Sequence, residues 1–277
     1  SSAASDVYKR QVSGQIVTSD LVHWSWYQVY GMLTPGSWIA MIANKYMNKY
    51  DVTAEDLGRV AISQRNYAVT NPRAFGYQKP LTMEDYLASK MIASPLRLYD
   101  FCQESDGGCA LLITSAERAV ELKQKPAVIR GITQASTQGQ EQMTSFYRNE
   151  LSTLPEMELA AKRVYAQSGL QASDIDAACL YDAFTSEVVM QLESFGFCGP
   201  GEAKDFIKEG GLDIDGLLPN NTHGGLLSEA YIHGLNNIAE AVRLIRGEST
   251  NQPKGIEHVL VSSGVGVPTG AMILGQS

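Results

Sequence analysis

Strand-like segments alternate with helix-like segments along this chain, and that alternation constrains its fold more than any other feature. Runs rich in Ile, Val and Ala at residues 127–136, 176–181 and 258–262 predict strands. Apolar residues at helical spacing in residues 156–168 and 187–197 predict helices between them. Strands that alternate with helices are typical of a layered α/β protein, in which helices cover the faces of a sheet.

Further elements are predicted before, between and after these segments. Residues 109–114 and 271–274 predict additional strands, and residues 229–246 predict a long helix that follows a glycine-rich loop. Thr53, followed by Ala-Glu-Asp, predicts a capped helix start with acidic residues in the first turn.

The charge and cysteine content exclude several classes of function. With 22 Lys and Arg against 30 Asp and Glu, the net charge is −8, and an acidic chain without a basic run is a poor candidate for binding nucleic acid. No stretch approaches the roughly 18 apolar residues of a membrane-spanning helix. The 4 cysteines form no Cys-x-x-Cys pair, which favours free thiols over a zinc site or a disulfide framework. We therefore expect a cytoplasmic protein without a metal.

The first eleven residues do not resemble the start of a domain. They are similar to a translated adapter sequence, so we expect residues 1–11 to be a non-native tail, with a natural disordered tail as the alternative. Apolar residues begin abruptly after Gln11, and we expect the natural protein to extend further upstream. Pro126 marks a boundary that divides the remainder into residues 12–124 and 125–277.

A glycine-rich turn lies near the end of the sequence, beginning at Gly264. A dinucleotide-binding loop would lead into a helix, whereas this turn leads into another apolar strand. The residues are instead compatible with a tight turn whose backbone N–H groups approach a ligand.

A second candidate region, residues 220–234, combines a Gly-Gly pair with His223, Tyr231 and His233. Glycines allow the backbone to come close to a ligand. A metal site would need a third ligand at a suitable spacing, which the stretch does not contain. Each histidine is as compatible with a buried structural role as with a site.

A third candidate is Tyr181, which stands at the carboxyl end of a predicted strand. Ligands of open α/β sheets bind beyond such strand ends. The tyrosine either packs its ring or presents its phenol to a ligand, and taken alone the packing role is favoured.

Four blocks in order resemble the thiolase superfamily, in its sterol-carrier and lipid-transfer-protein branch. The resemblance implies an α/β thiolase fold, layered α/β/α/β/α and built from two similar halves. Residues 12–124 would be the remainder of the N-terminal half with its loop region, and residues 125–277 the complete C-terminal half. The blocks are residues 105–117, Tyr181-Asp182-Ala183-Phe184 in place of Asn-Glu-Ala-Phe or His-Glu-Ala-Phe, the Asn-x-x-Gly-Gly stretch of residues 221–234, and residues 262–266 in place of Cys-x-Gly-x-Gly.

Departures from the family pattern bear on the activity. Tyr231 stands where thiolases carry the catalytic histidine, Tyr181 replaces an Asn or His, and Ser262 replaces the second catalytic cysteine. The first, nucleophilic cysteine would belong to a segment upstream of this sequence. Claisen chemistry needs an acyl-accepting thiolate and a base that can form a carbanion. Tyrosine and serine are poor substitutes for both.

Two tyrosines at these positions resemble the steroid side-chain retro-aldolases of this branch. The resemblance implies a carbon–carbon lyase that cleaves a β-hydroxyacyl-CoA on a sterol side chain into a ketone and a short acyl-CoA. It implies Tyr181 and Tyr231 as the proton-transfer pair, without deciding which is base and which is acid. The N–H of Gly264 is a candidate oxyanion donor, and His223 is a candidate for tuning a phenol.

The resemblance also implies partners. We expect an acyl-CoA substrate, a homodimer, a partner protein with a DUF35-type domain, and no cofactor beyond the coenzyme A of the substrate. Two alternatives remain open from the sequence. One is an acetyl-CoA acyltransferase with unusual site residues, and the other is a non-catalytic lipid- or acyl-CoA-binding protein.

Overall fold

The structure is a computed structural model that describes residues 25–32, 34–138, 148–264 and 269–277. The predicted tail, residues 1–11, lies outside the described residues. Helices dominate the first part of the chain, together with one short hairpin. In chain order the elements are α1 (Pro35–Tyr50), α2 (Ala54–Thr70), α3 (Met83–Ala88), β1 (Met91–Ala93), β2 (Leu96–Arg97) and α4 (Ala116–Ala119).

Helix α2 begins where the sequence predicts, because Thr53 caps it. The hydroxyl Oγ1 of Thr53 accepts the N–H of Asp56 at 3.3 Å, and the Asp56 carboxylate accepts the N–H of Thr53 at 2.9 Å. This reciprocal capping box satisfies two backbone donors that the first turn of a helix leaves free. The predicted helix cap is confirmed.

The second part of the chain contains a mixed four-stranded sheet and the helices that cover it. The sheet order is β3-β6-β5-β4. Strand β6 pairs antiparallel with both β3 and β5, whereas β4 pairs parallel with β5. The elements are β3 (Val128–Ala135), α5 (Pro155–Ser168), β4 (Ala177–Cys179), α6 (Thr185–Ser194), α7 (Ala203–Lys208), α8 (Gly225–Ser228), α9 (Leu235–Arg246), β5 (His258–Ser263) and β6 (Thr269–Gly275).

Helices lie on both faces of this sheet, and the period-two alternation of the strands explains why. In β5, Val259 and Val261 belong to a buried cluster with α9, while Leu260 belongs to the larger core that includes α5 and α6. Successive side chains of a strand point to opposite faces. A strand buried on both faces therefore reads as the near-continuous apolar run seen in the sequence. The predicted layered α/β arrangement is confirmed.

Two sequence-based predictions of elements are wrong. Residues 109–114 form no strand, and Leu112 and Ile113 are 86% and 78% exposed. A strand requires a neighbour for its backbone groups, and within the described residues this segment pairs with none. The composition of the segment is strand-like, but composition does not supply a partner.

The helix predicted for residues 229–246 begins only at Leu235. His233 and Gly234 have φ values of +48° and +80°, in the left-handed region where a right-handed helix cannot run. Tyr231 consequently lies in the connection between α8 and α9 rather than on a helix. The predicted boundary between residues 12–124 and 125–277 stays a prediction.

Candidate active site

Tyr181 follows β4 by two residues, and hydrogen bonds hold its backbone on both sides. Its N–H donates to Ser262 Oγ at 2.8 Å, and its carbonyl oxygen accepts from Gln191 Nε2 at 2.7 Å. Ser262 Oγ in turn donates to Gln191 Oε1 at 2.5 Å. The three residues form a closed ring of hydrogen bonds that joins β5 and α6 to the end of β4. These bonds fix the position of the backbone from which the Tyr181 side chain extends.

Tyr231 is supported by a different part of the chain. Its N–H donates to Ser105 Oγ at 3.2 Å, and its backbone forms an isolated parallel bridge with Glu104. The ring of His233, an exposed residue, lies 4.5 Å from the Tyr231 ring, centroid to centroid. The segment before α4 thus forms one wall of the site.

The two phenols meet. Tyr181 Oη and Tyr231 Oη are 3.0 Å apart, and either hydroxyl can donate to the other. Burial, followed by the interaction with Tyr231, raises the pKa of Tyr181 well above its usual value. Tyr181 is therefore a neutral phenol near neutral pH. Both tyrosines are half-buried.

Two acidic side chains lie buried behind Tyr181. Asp182 is completely buried and accepts the N–H groups of Leu226 at 2.9 Å and of Leu227 at 3.1 Å. Burial raises the pKa of Asp182 to about 6, although these two N–H groups oppose the shift. Burial also raises the pKa of Glu187, which is 4% exposed, well above its usual value. Among the described residues, Glu187 Oε2 finds no hydrogen-bond partner.

Gly234 allows close packing beside Tyr181. A Cβ atom at Gly234 would lie 3.3 Å from Cδ2 of the Tyr181 ring, which is tighter than most such contacts. Its φ of +80° is also one that residues with a side chain rarely adopt. The backbone that leads into α9 therefore forms part of the Tyr181 environment.

The structure places the other two predicted site residues as follows. His223 is completely buried, with Nε2 3.3 Å from Asn237 Oδ1 and 3.7 Å from Glu229 Oε2. Gly264 directly follows β5 with a φ of +69°, the left-handed geometry that the predicted turn requires. The histidine beside a tyrosine ring is His233, not His223. The roles assigned to His223 and Gly264 stay predictions.

Sequence reasoning missed the residues that hold the tyrosines in place. Ser105 lies far from Tyr231 in the sequence, and Gln191 belongs to a helix in which a polar residue is common. The available signal was a glutamine between Met190 and Leu192 in an apolar helical stretch, and the structure shows that Gln191 is completely buried on α6.

The comparison with protein families identifies the fold. Residues 137–276 match the thiolase C-terminal domain-like family. The chain belongs to the thiolase family. It is 55% identical over 257 residues to a steroid side-chain-cleaving aldolase of Thermomonospora curvata, covering 93% of this chain and 66% of that relative. It is 52% identical over 246 residues to the 17-hydroxy-3-oxo-4-pregnene-20-carboxyl-CoA lyase of Mycobacterium tuberculosis, covering 89% of this chain and 64% of that relative.

A solved structure is also similar to this thiolase-family chain. The Ltp2-ChsH2(DUF35) aldolase superposes with a TM-score of 0.92 at 54% identity, covering 95% of this chain and 69% of that one. The sequence-based resemblance and the α/β thiolase fold are confirmed. The chain spans slightly less than two thirds of the length of each of these two curated relatives.

The described residues contain neither a membrane-spanning helix nor a cluster of metal ligands. None of the helices there is both long and apolar enough to cross a membrane. In the same parts of the chain, no group of three or more His, Cys, Asp or Glu side chains is arranged to hold a metal ion.

Proposed function

We propose that this chain belongs to a carbon–carbon lyase that cleaves a β-hydroxyacyl-CoA, carried on a sterol side chain, by a retro-aldol reaction. The products are a ketone and a short acyl-CoA. The observation that carries this proposal is the 3.0 Å contact between Tyr181 Oη and Tyr231 Oη. The proposal is supported by a sequence identity of 52–55% to two relatives named as a steroid side-chain-cleaving aldolase and an acyl-CoA lyase.

A retro-aldol reaction moves one proton from oxygen to carbon, and two phenols in contact can perform that transfer. In one concerted transfer, Tyr231 Oη accepts the proton of the substrate β-hydroxyl as it releases its own proton to Tyr181. The Cα–Cβ bond breaks, its electron pair passes into the thioester enolate, and Cβ becomes the ketone carbon. Tyr181 in turn delivers its own proton to Cα. Both tyrosines end the cycle protonated, and no external base is consumed.

The surroundings of the two phenols favour one assignment of roles. Because burial raises the pKa of Tyr181, its phenol keeps its proton until a strongly basic carbon, such as that of a thioester enolate, is present to take it. We propose Tyr181 as the acid and Tyr231 as the base. The Tyr181 backbone, fixed by Ser262 and Gln191, keeps the acid in one position during the transfer.

The enolate oxygen requires a donor that is already in position. We assign this role to the N–H of Gly264, which directly follows β5 in a left-handed conformation. The buried polar set around His223 lies next to the connection that carries Tyr231, so we assign His223 an indirect effect on that phenol, through the position of this connection.

The acyltransferase alternative is disfavoured by the contacts of Ser262. Its hydroxyl accepts the N–H of Tyr181 and donates to Gln191, which supports a structural role rather than that of a base or a nucleophile. A non-catalytic binding protein would have no need for two phenols in mutual contact at the strand end.

The partners follow from the same proposal. The substrate is an acyl-CoA, and the reaction needs no cofactor beyond its coenzyme A. A protein with a DUF35-type domain binds the whole enzyme, as the name of the similar solved structure states for that aldolase. The enzyme forms a homodimer and works in the cytoplasm.

The test is incubation of the full-length protein, with its DUF35-domain partner, with β-hydroxyacyl-CoA substrates. The proposal predicts formation of a ketone and a short acyl-CoA in equal amounts, measured by mass spectrometry. Consumption of free coenzyme A with a β-ketoacyl-CoA would indicate thiolase activity instead. Substrate binding with neither reaction would support a non-catalytic protein.

A further inference from the structure

One buried carboxylate connects the two segments that carry the phenols. Asp182 Oδ1 accepts the N–H of Leu226 at 2.9 Å, and Asp182 Oδ2 accepts the N–H of Leu227 at 3.1 Å. The side chain is 0% exposed, so water does not replace either bond. Charged hydrogen bonds of this kind are about twice as strong as neutral ones.

The bonds of Asp182 matter because of where the bonded residues lie along the chain. Asp182 directly follows Tyr181, and Leu226 and Leu227 lie on α8, which precedes the connection that contains Tyr231. The carboxylate therefore joins the end of β4 to the segment that leads to the second phenol. Asn221 Nδ2 and Asn237 Nδ2 also donate to the Leu180 carbonyl oxygen, at 2.9 and 3.0 Å, but the bonds of Asp182 are the ones that reach α8 itself.

Gly225 makes the close approach possible. A Cβ atom there would overlap Asp182 Oδ2 and would lie 2.6 Å from Gln64 Oε1. The φ of Gly225 is +65°, in the left-handed region. The glycine thus leaves room for a carboxylate to reach two successive backbone N–H groups.

We propose that Asp182 is a positioning residue, whose ionised carboxylate fixes α8 and thereby sets the separation of the Tyr181 and Tyr231 hydroxyls. This inference deepens the proposed function and rests on it only for the catalytic consequence. The contact with Leu226 and Leu227 stands independently of any activity. Both oxygens must accept, so protonation, which makes one oxygen a hydroxyl donor and a much weaker acceptor, weakens one of the two bonds.

The proposal predicts sensitivity to mild acid. Burial raises the pKa of Asp182 to about 6, so the carboxylate is ionised at pH 7.5 and protonated at pH 5. The groups that act on it are the two N–H donors and His223, which lower its pKa. The other titratable groups in its electrostatic reach are Glu187 on α6 and the thiols of Cys102 and Cys179. Both thiols have a raised pKa and are uncharged over this range.

The first test measures hydrogen exchange at the Leu226 and Leu227 amides of the full-length protein. After correction for intrinsic exchange rates, protection at pH 7.5 should fall by about tenfold or more at pH 5 and in Asp182→Asn, because a bond to a charged acceptor is lost. Asp85→Asn is the matched control, since Asp85 also accepts a backbone N–H, from Thr82, at an exposed helix start. Unchanged protection in both conditions would overturn the proposal, and the wild-type pH series decides it even where Asp182→Asn does not fold.

The second test concerns turnover. Asp182→Asn should lower kcat by about 10²-fold, as small misplacements of catalytic groups do. In a Tyr231→Phe background the same substitution should cost little, because the phenol that it positions is already absent. Multiplicative losses in the double variant would contradict positioning through Tyr231. If no variant or wild type shows lyase activity, the proposed function fails, while the exchange measurement still decides the role of the carboxylate.

Discussion

Gln191 holds the backbone of Tyr181, and its removal should be costly. Gln191→Leu keeps the approximate volume but removes two hydrogen bonds, the one that the Ser262 hydroxyl donates and the one that the Tyr181 carbonyl oxygen accepts. Gln191 is completely buried, so water cannot replace it. At about 1–3 kcal/mol for each unsatisfied group, the free energy of unfolding should fall by about 2–6 kcal/mol. Turnover should fall as well, since the acid loses its support.

Urea denaturation of the full-length protein measures this loss, and Gln167→Leu provides the control. Gln167 Oε1 accepts the N–H of Ile132 at 2.7 Å at an exposed position, where water can substitute. The control should cost less than about 1 kcal/mol, near the net contribution of one ordinary hydrogen bond. Equal losses in the two variants would refute the argument that the ring of Tyr181, Ser262 and Gln191 fixes the site.

Three further predictions concern single positions. Because burial raises the pKa of Glu187, the native state binds a proton that the unfolded chain releases. The free energy of unfolding should therefore fall as pH rises above 4.5. Glu187→Gln should make this fall smaller, as measured by urea denaturation between pH 5 and 8. Gly234→Ala should displace the Tyr181 ring and lower kcat by about tenfold or more, with a changed tyrosine difference spectrum. Thr53→Ala should lower the free energy of unfolding by about 1 kcal/mol and leave kcat unchanged.

Local signals in the sequence predicted the elements whose stability is local. The Thr53 cap is set by neighbouring residues, and the strands β5 and β6 carry an apolar pattern that matches burial on both faces. The strand predicted for residues 109–114 failed, because a strand depends on a partner elsewhere in the molecule. The start of α9 was also misplaced, since left-handed backbone at His233 is not visible in its residue type.

The candidate site was predicted in part. The family resemblance predicted Tyr181 and Tyr231 as site residues, and in the structure their hydroxyls are in contact. Their supporting residues depend on tertiary contacts between segments separated by many positions, such as Gln191 with Ser262. Asp182 was part of a motif noted in the sequence, but only the structure places its carboxylate on the N–H groups of α8.

The measurement that tests the central claim most directly is the turnover of Tyr181→Phe and Tyr231→Phe in the full-length protein with its partner. Each substitution keeps the ring and removes one hydroxyl of the 3.0 Å pair. Loss of a general acid or base costs about 10²–10⁴-fold in rate, so each variant should lose at least about 10²-fold in kcat with near-normal urea unfolding. Retention of more than about a third of wild-type turnover by either variant, against that expected loss, would make that tyrosine structural and contradict the proton-transfer pair.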